Sequence, residues 1–189
     1  MDIENQKSLL RKRFLELRKN FFNKFSVEDE EKLISNLFLV EEFSNASVIL
    51  SYMSKDGEVP TKNLNLKILN SKKILCLPKT DTKNKELIIK KILSYEELEN
   101  GPFGVLEPKE SCQTIVKIDV AIIPGVVFSK DGYRLGYGFG YYDRFLQKNP
   151  CFKIGLCFSS QLIDKLPYEG HDVKMDCLVS ESFVLRIKK

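Results

Sequence analysis

The run DVAIIPG, Asp119 to Gly125, is apolar at every position from Val120 to Ile123 and stops at a proline–glycine pair. A strand that alternates apolar and polar residues leaves one face in water, but a strand apolar at consecutive positions needs cover on both faces. Such cover requires a layered fold, and the rest of the chain offers the layers. SVILSYM (47–53), KKILCLPK (72–79), ELIIKKIL (86–93), FKIGLCF (152–158) and CLVSESFVLRI (177–187) are further short apolar runs suited to strands. Between them lie helical stretches. Residues 4–22 carry Leu10, Phe14, Leu17 and Phe21 at spacings of 4, 3 and 4, and Ser26 with Asp29 forms a capping box that opens a helix to about Val40. Thr61 to Leu69 and residues 141–148 suit helices, Tyr95 to Glu99 a helical turn, and NGPFGVLEP (100–108) reads as loop. Strands alternating with helices predict an α/β fold, a largely parallel central sheet flanked by helices on both faces. The absence of repeats and of a separating linker predicts one domain over residues 1–189.

Charge and cysteine usage narrow the classes of function. Thirty Lys and Arg against 26 Asp and Glu leave a net charge of +4, which suits anionic ligands and is too weak to argue for nucleic acid. Five cysteines without a C-x-x-C pair, and the single His171, speak against a zinc site and against a disulfide framework. The thiols are expected to be reduced and mostly buried in a cytoplasmic protein. No apolar run reaches the ~20 residues of a membrane span. MDIENQKSLLRKRF has an acidic start and no apolar core, so no secretory signal is expected.

On the first helix Lys7, Arg11 and Arg18 form a narrow basic strip beside the apolar stripe. Arg18 reads as part of a solvated face, whereas Lys7 and Arg11 flank the buried side and are placed to reach a cleft. Four of the ten glycines, Gly132, Gly136, Gly138 and Gly140, fall within nine positions in a loop that follows the strand at 119–125 and runs into a helix. In α/β sheets this is where ligands bind. Glycine permits φ > 0, which turns successive N–H groups into a nest for anionic oxygen, and the helix start at Tyr141 adds its dipole. The combination reads as phosphate binding. It is neither a Walker A loop nor a G-x-G-x-x-G fingerprint, because position 141 is tyrosine. Asp143 either complements the helix dipole or holds Mg²⁺ beside phosphate, and both readings stand.

PGVVFSKDGYRLGYGFGYYDRF (124–145) resembles the signature of the 5-formyltetrahydrofolate cyclo-ligase family. Pro124, Gly125, Phe128, Gly132, Arg134, Leu135, Gly136, Gly138, Gly140, Tyr141, Tyr142 and Asp143 match it at fixed spacing. Weaker echoes are KSLLR (7–11), GEVPT (57–61), LPK (77–79), FGVLEP (103–108) and KMDCLVSE (174–181). The resemblance implies a cytoplasmic ligase of folate metabolism that uses ATP and Mg²⁺ to convert 5-formyltetrahydrofolate to 5,10-methenyltetrahydrofolate, releasing ADP and phosphate. It implies no protein nucleophile, no nucleic-acid or membrane partner, and a monomer.

Position by position, the resemblance implies that Lys7, Ser8, Leu9, Leu10 and Arg11 contact ATP, as do Arg134, Leu135, Gly136, Tyr137, Gly138, Phe139, Gly140, Tyr141 and Tyr142. For the folate it implies Met53, Glu58 and Phe103, with Tyr137, Gly138, Phe139, Gly140 and Tyr141 shared between the two substrates. For magnesium it implies Asp143 and Asp176. Lys79 reads as a solvated lysine. Two departures stand out: Phe139, where relatives often have lysine, and Ser129, where many have aspartate. Two other classes use similar residues, a nucleic-acid-binding module and a sugar-phosphate isomerase. Consumption of ATP only in the presence of 5-formyltetrahydrofolate separates them from a cyclo-ligase.

Overall fold

Val120–Ile123 lies at the middle of a seven-stranded sheet, with all four residues buried. The computed structural model describes residues 2–188. Its helices are α1 (Ile3–Phe22), α2 (Val27–Phe38), α3 (Glu41–Asn45), α4 (Lys62–Leu69) and α5 (Tyr141–Lys148). Its strands are β1 (Val48–Leu50), β2 (Ile74–Asp81), β3 (Glu86–Lys91), β4 (Leu98–Asn100), β5 (Leu106–Pro108), β6 (Val120–Ile123), β7 (Val127–Ser129), β8 (Arg134–Leu135), β9 (Phe152–Leu156), β10 (Leu162–Ile163), β11 (Cys177–Val179) and β12 (Val184–Arg186). The main sheet runs β12-β11-β9-β6-β1-β2-β3, parallel except for β12 and β3 at its edges.

The register explains why consecutive residues are apolar. Ile49, Val120, Ile122, Ile154 and Val179 face one layer with Leu33 and Leu37 of α2, Phe43 of α3 and Leu64 and Ile68 of α4. Leu50, Ala121, Ile123 and Leu178 face the other with Phe145 and Leu146 of α5. Helices therefore cover both faces, and the α/β expectation holds. The capping box also forms: Asp29 N–H donates to Ser26 Oγ, and Ser26 N–H donates to Asp29 Oδ2, both at 3.1 Å.

Other elements differ from the sequence reading. β1 ends at Leu50 because the Tyr52 carbonyl is taken by side chains at the start of α4, Thr61 Oγ1 at 2.6 Å and Asn65 Nδ2 at 3.0 Å. The stretch 100–108 is not plain loop; β4 and β5 pair as a hairpin around a 3₁₀ turn at Pro102–Gly104. A second sheet, β10-β7-β8, stands beside the main one. Helix α1 lays Phe14 against it, on Val126, Val127 and Leu135. In that packing Leu17 is exposed and Arg18 is buried, the reverse of the predicted stripe. All five thiols are free; Cys76, Cys112, Cys157 and Cys177 are buried and Cys151 is half-buried.

Candidate active site

The carboxyl ends of β1, β2 and β6 open into a cleft of about 520 Å³. Its walls come from α1 (Lys7, Arg11), the segment after β1 (Met53, Lys55, Glu58), the β4–β5 hairpin (Phe103), residues 134–144, and the loop carrying Glu169, His171 and Asp172.

The glycine loop takes positive φ at two positions, Gly138 at +100° and Gly140 at +68°, which glycine adopts without the cost that a side chain adds. Arginines take its carbonyls: Arg11 Nε donates to Gly136 O at 3.1 Å, and Arg144 donates to Phe139 O at 2.9 Å. Among the described residues, the amides of Gly138, Phe139 and Gly140 donate no hydrogen bond. Arg134 lines the same cleft, buried, with its guanidinium 3.2 Å from Asp143 Oδ1. That contact is an ion pair without hydrogen-bond geometry, so Nε and one terminal nitrogen of Arg134 have no partner. Unpaired donors on a buried cation are costly, and an incoming anion is what they suit. Val173 N–H also donates to Asp143 Oδ1, at 3.2 Å, so both contacts to this carboxylate use the same oxygen.

Lys7 Nζ is 2.8 Å from both Glu169 Oε2 and Asp172 Oδ2. Burial works to lower its pKa, but the two carboxylates outweigh this and hold it above the usual 10.5. Arg18, expected on a solvated face, lies inside the molecule at 4 % exposure. It donates to Gly125 O at 3.1 Å and to the Tyr137 hydroxyl at 2.5 Å, and the hydroxyl donates to Glu58 Oε1 at 3.0 Å. Lys55 N–H holds Glu58 Oε2 at 3.1 Å, and the Lys55 ammonium lies 4.0 Å from the centre of the Tyr137 ring. Burial first, and then the Glu58 charge, push the Tyr137 hydroxyl up to about 12, so it stays protonated.

At the mouth, Phe103 stacks on Phe139 with centroids 5.2 Å apart and rings 30° from parallel, and both meet Tyr141 at 6.2–6.4 Å. Phe103 has φ +66°, a left-handed conformation that costs a bulky residue about 1–2 kcal/mol. Phe103 and Phe139 are about half exposed, leaving a rim of aromatic faces.

The cleft thus gathers Lys7, Arg11, Met53, Glu58, Phe103, Asp143 and every residue from Arg134 to Tyr142. Ser8 and Leu9 are exposed on α1, and Leu10 packs with Phe14; none of the three lines the cleft. Asp176 lies elsewhere. Its Oδ2 accepts from Lys153 N–H at 2.9 Å and pairs with Lys153 Nζ at 2.6 Å, where β9 and β11 begin, at the end of the sheet away from the cleft. Lys79 is not solvated, since its ammonium binds Glu99 at 2.8 Å and Pro108 O at 3.0 Å and so ties the hairpin to β2. Sequence reasoning missed Arg18, Lys55, Arg144, Glu169 and Asp172. Arg18, Glu169 and Asp172 have partners on other elements that only the fold brings in, while Lys55 and Arg144 bond Glu58 and Phe139, three and five residues away, without forming a motif.

Comparison with known proteins identifies the family. The family model described as the 5-formyltetrahydrofolate cyclo-ligase family matches residues 3–181. The chain is similar to the 5-formyltetrahydrofolate cyclo-ligase of Haemophilus influenzae, 34% identical over 158 residues, covering 79% of this chain and 84% of the relative. It is 30% identical to that of Saccharomyces cerevisiae over 161 residues, covering 72% and 76%. Among solved structures, the Aquifex aeolicus 5,10-methenyltetrahydrofolate synthetase superposes with a TM-score of 0.84 at 34% identity, covering 97% of this chain and 93% of that one. The Mycoplasma pneumoniae 5,10-methenyltetrahydrofolate synthetase gives 0.68 at 25% identity, covering 93% and 98%.

Proposed function

The chain belongs to the 5-formyltetrahydrofolate cyclo-ligase family and is a ligase, and from that premise we propose how its cleft works. It converts 5-formyltetrahydrofolate and ATP to 5,10-methenyltetrahydrofolate, ADP and phosphate. The observation that carries this reading is one cleft lined by both the buried Arg134 guanidinium, with unpartnered donors, and three unpaired loop amides at the start of α5. A polyphosphate supplies anionic oxygens to the amides and a counter-charge to Arg134 beyond that of Asp143.

Ring closure must expel the formyl oxygen. Transfer of the terminal phosphoryl group to that oxygen makes it a leaving group; N10 then bonds the formyl carbon, loses its proton, and phosphate departs. Side chains of this protein bind and orient rather than attack. Arg134, Arg11 and the loop amides of 138–140 meet the phosphates. Glu58, with both oxygens held from behind, presents a fixed acceptor to the N–H edge of the pterin. Met53 and the Phe103, Phe139 and Tyr141 rings flank the folate and exclude water. Asp143 fits Mg²⁺: its contacts use Oδ1, and a second hard oxygen remains beside the phosphate nest, as a cation shared with phosphate needs. Bound there, the ion would neutralise charge on the phosphates. Asp176 does not join it in this geometry.

The reading includes one domain over residues 1–189, supported by the two core clusters meeting across a shared sheet. It includes a monomer in the cytoplasm without nucleic-acid or membrane partners; among the described residues no helix is long and apolar enough to cross a membrane. The test follows absorbance of the methenyl product together with ADP release. Both are expected only when ATP, Mg²⁺ and 5-formyltetrahydrofolate are all present. ATP turnover indifferent to the folate would overturn the reading.

A further inference from the structure

Arg18 belongs to none of the binding residues the motif implies, yet the fold spends a buried guanidinium on it. A buried cation needs a compensating partner, and the carboxylate here is Glu58, whose Oε1 is 3.8 Å from the Arg18 guanidinium. The directional contact goes through Tyr137. Its hydroxyl has one proton and accepts from Arg18 at 2.5 Å, so that proton is left for Glu58 at 3.0 Å. The same guanidinium donates to Gly125 O, just beyond β6, which fixes it against the sheet rather than the loop. We propose that Arg18 is a positioning residue for the folate: it sets the Tyr137 hydroxyl, and through it the plane of the Glu58 carboxylate, without touching the substrate. This rests on Glu58 reading the folate as described above.

The geometry gives the idea a specific consequence. Arg18 and Tyr137 act in series, so removing either link breaks the same chain. Their effects on folate affinity are then non-additive, as expected for residues in one network. ATP meets Arg134 and the loop amides, whereas Arg18 contacts Gly125, the Tyr137 hydroxyl and Glu58.

The experiment measures calorimetric Kd values for 5-formyltetrahydrofolate and for ATP with Mg²⁺, separately, on wild type, Arg18→Met, Tyr137→Phe and the double variant. Arg18→Met and Tyr137→Phe should each weaken the folate by about tenfold, with the double variant close to the weaker single one. ATP affinity of Arg18→Met should stay within about twofold, a split that general loosening of the fold does not produce. Additive losses, equal loss of both ligands, or an Arg18→Met protein that binds folate like wild type would overturn the proposal. If Arg18→Met does not fold, Arg18→Lys takes its place in the same cycle, with a smaller folate-specific loss and the same non-additivity expected. Wild type that binds no 5-formyltetrahydrofolate would instead overturn the functional reading on which the proposal rests.

Discussion

A guanidinium held out of water without hydrogen-bond partners is a costly thing for a chain to fold around, and Arg134 is held in place by its neighbours rather than by its own contacts. The ring of Tyr142 lies 5.7 Å from its Cζ, and Asp143 supplies the charge. Asp143→Asn keeps the shape and removes that charge. It should lower turnover about 30- to 1000-fold, the ~2–4 kcal/mol lost with a charge-assisted transition-state contact, and raise the Mg²⁺ needed for half-maximal rate. Turnover within twofold of wild type at limiting Mg²⁺ would rule out the metal role. Phe139 gives a second test. Its ring stacks on Phe103, so it turns toward the aromatic rim and leaves the phosphate side to arginines. Phe139→Lys should be tolerated and should lower the KM for ATP by up to about tenfold, measured by steady-state kinetics. The glycine loop, Asp143 and Arg134 were legible in the sequence because they lie together within ten positions. Arg18 was not. Its polar partner Tyr137 is 119 residues away, and a lone arginine on an amphipathic helix carries no local sign that it is buried.

The β4–β5 hairpin is the element that brings Phe103 to the cleft, and it hangs from β2 by a few polar contacts. Thr80 N–H and Oγ1 donate to the two oxygens of the buried Glu107 carboxylate at 2.9 and 2.5 Å, and Lys79 reaches Pro108 O. Thr80→Val keeps the first bond and leaves one buried carboxylate oxygen without a donor, a cost of about 1–3 kcal/mol. Amide exchange should speed up across 98–108 while α2 and β6 stay protected, and folate affinity should fall with ATP affinity unchanged. Uniform exchange across the chain would show that the hairpin is not a separate unit. Elements of this kind also mark the limit of pattern reading. α1, α2, α4, α5 and the main-sheet strands announce themselves through periodicity, caps or apolar runs. β7, β8 and β10 are two or three residues long, too short for any period, and while β7 and β8 pair locally, β10 joins them only because the chain returns from residue 162 to residue 128.

At the scale of the molecule, Lys7 ties α1 to the loop near residue 170 through Glu169 and Asp172. Burial works against ionisation of the Asp172 carboxyl, but the bond from Lys7 and the Glu169 N–H outweigh it and hold the group below its usual 3.8. A lowered acid stabilises the fold above its unfolded pKa and loses that contribution as pH falls through the folded one; a raised lysine does the reverse. The tie is therefore fully present from about pH 4 to about pH 10.5 and fades outside that window. The melting temperatures of wild type and Lys7→Met should lie further apart between about pH 5 and 9 than at either extreme, where they converge. A difference that persists undiminished at both extremes would place the tie elsewhere. The cysteines offer a last consequence, in the chemistry of labelling. Burial pushes the Cys76 thiol up to about 12 and the Cys177 and Cys151 thiols up to about 11, and raises Cys157 as well, so these four hold few thiolates at pH 8 and access decides which reacts first. Cys151 alone is half-exposed. A maleimide or disulfide reagent should therefore modify one thiol of the native protein and reach the other four, three on main-sheet strands or just past one and Cys112 in the turn after β5, only through opening of the fold. The slow phase would then serve as an internal clock for unfolding, and ATP or folate should lengthen it by the same factor with which they stabilise the fold.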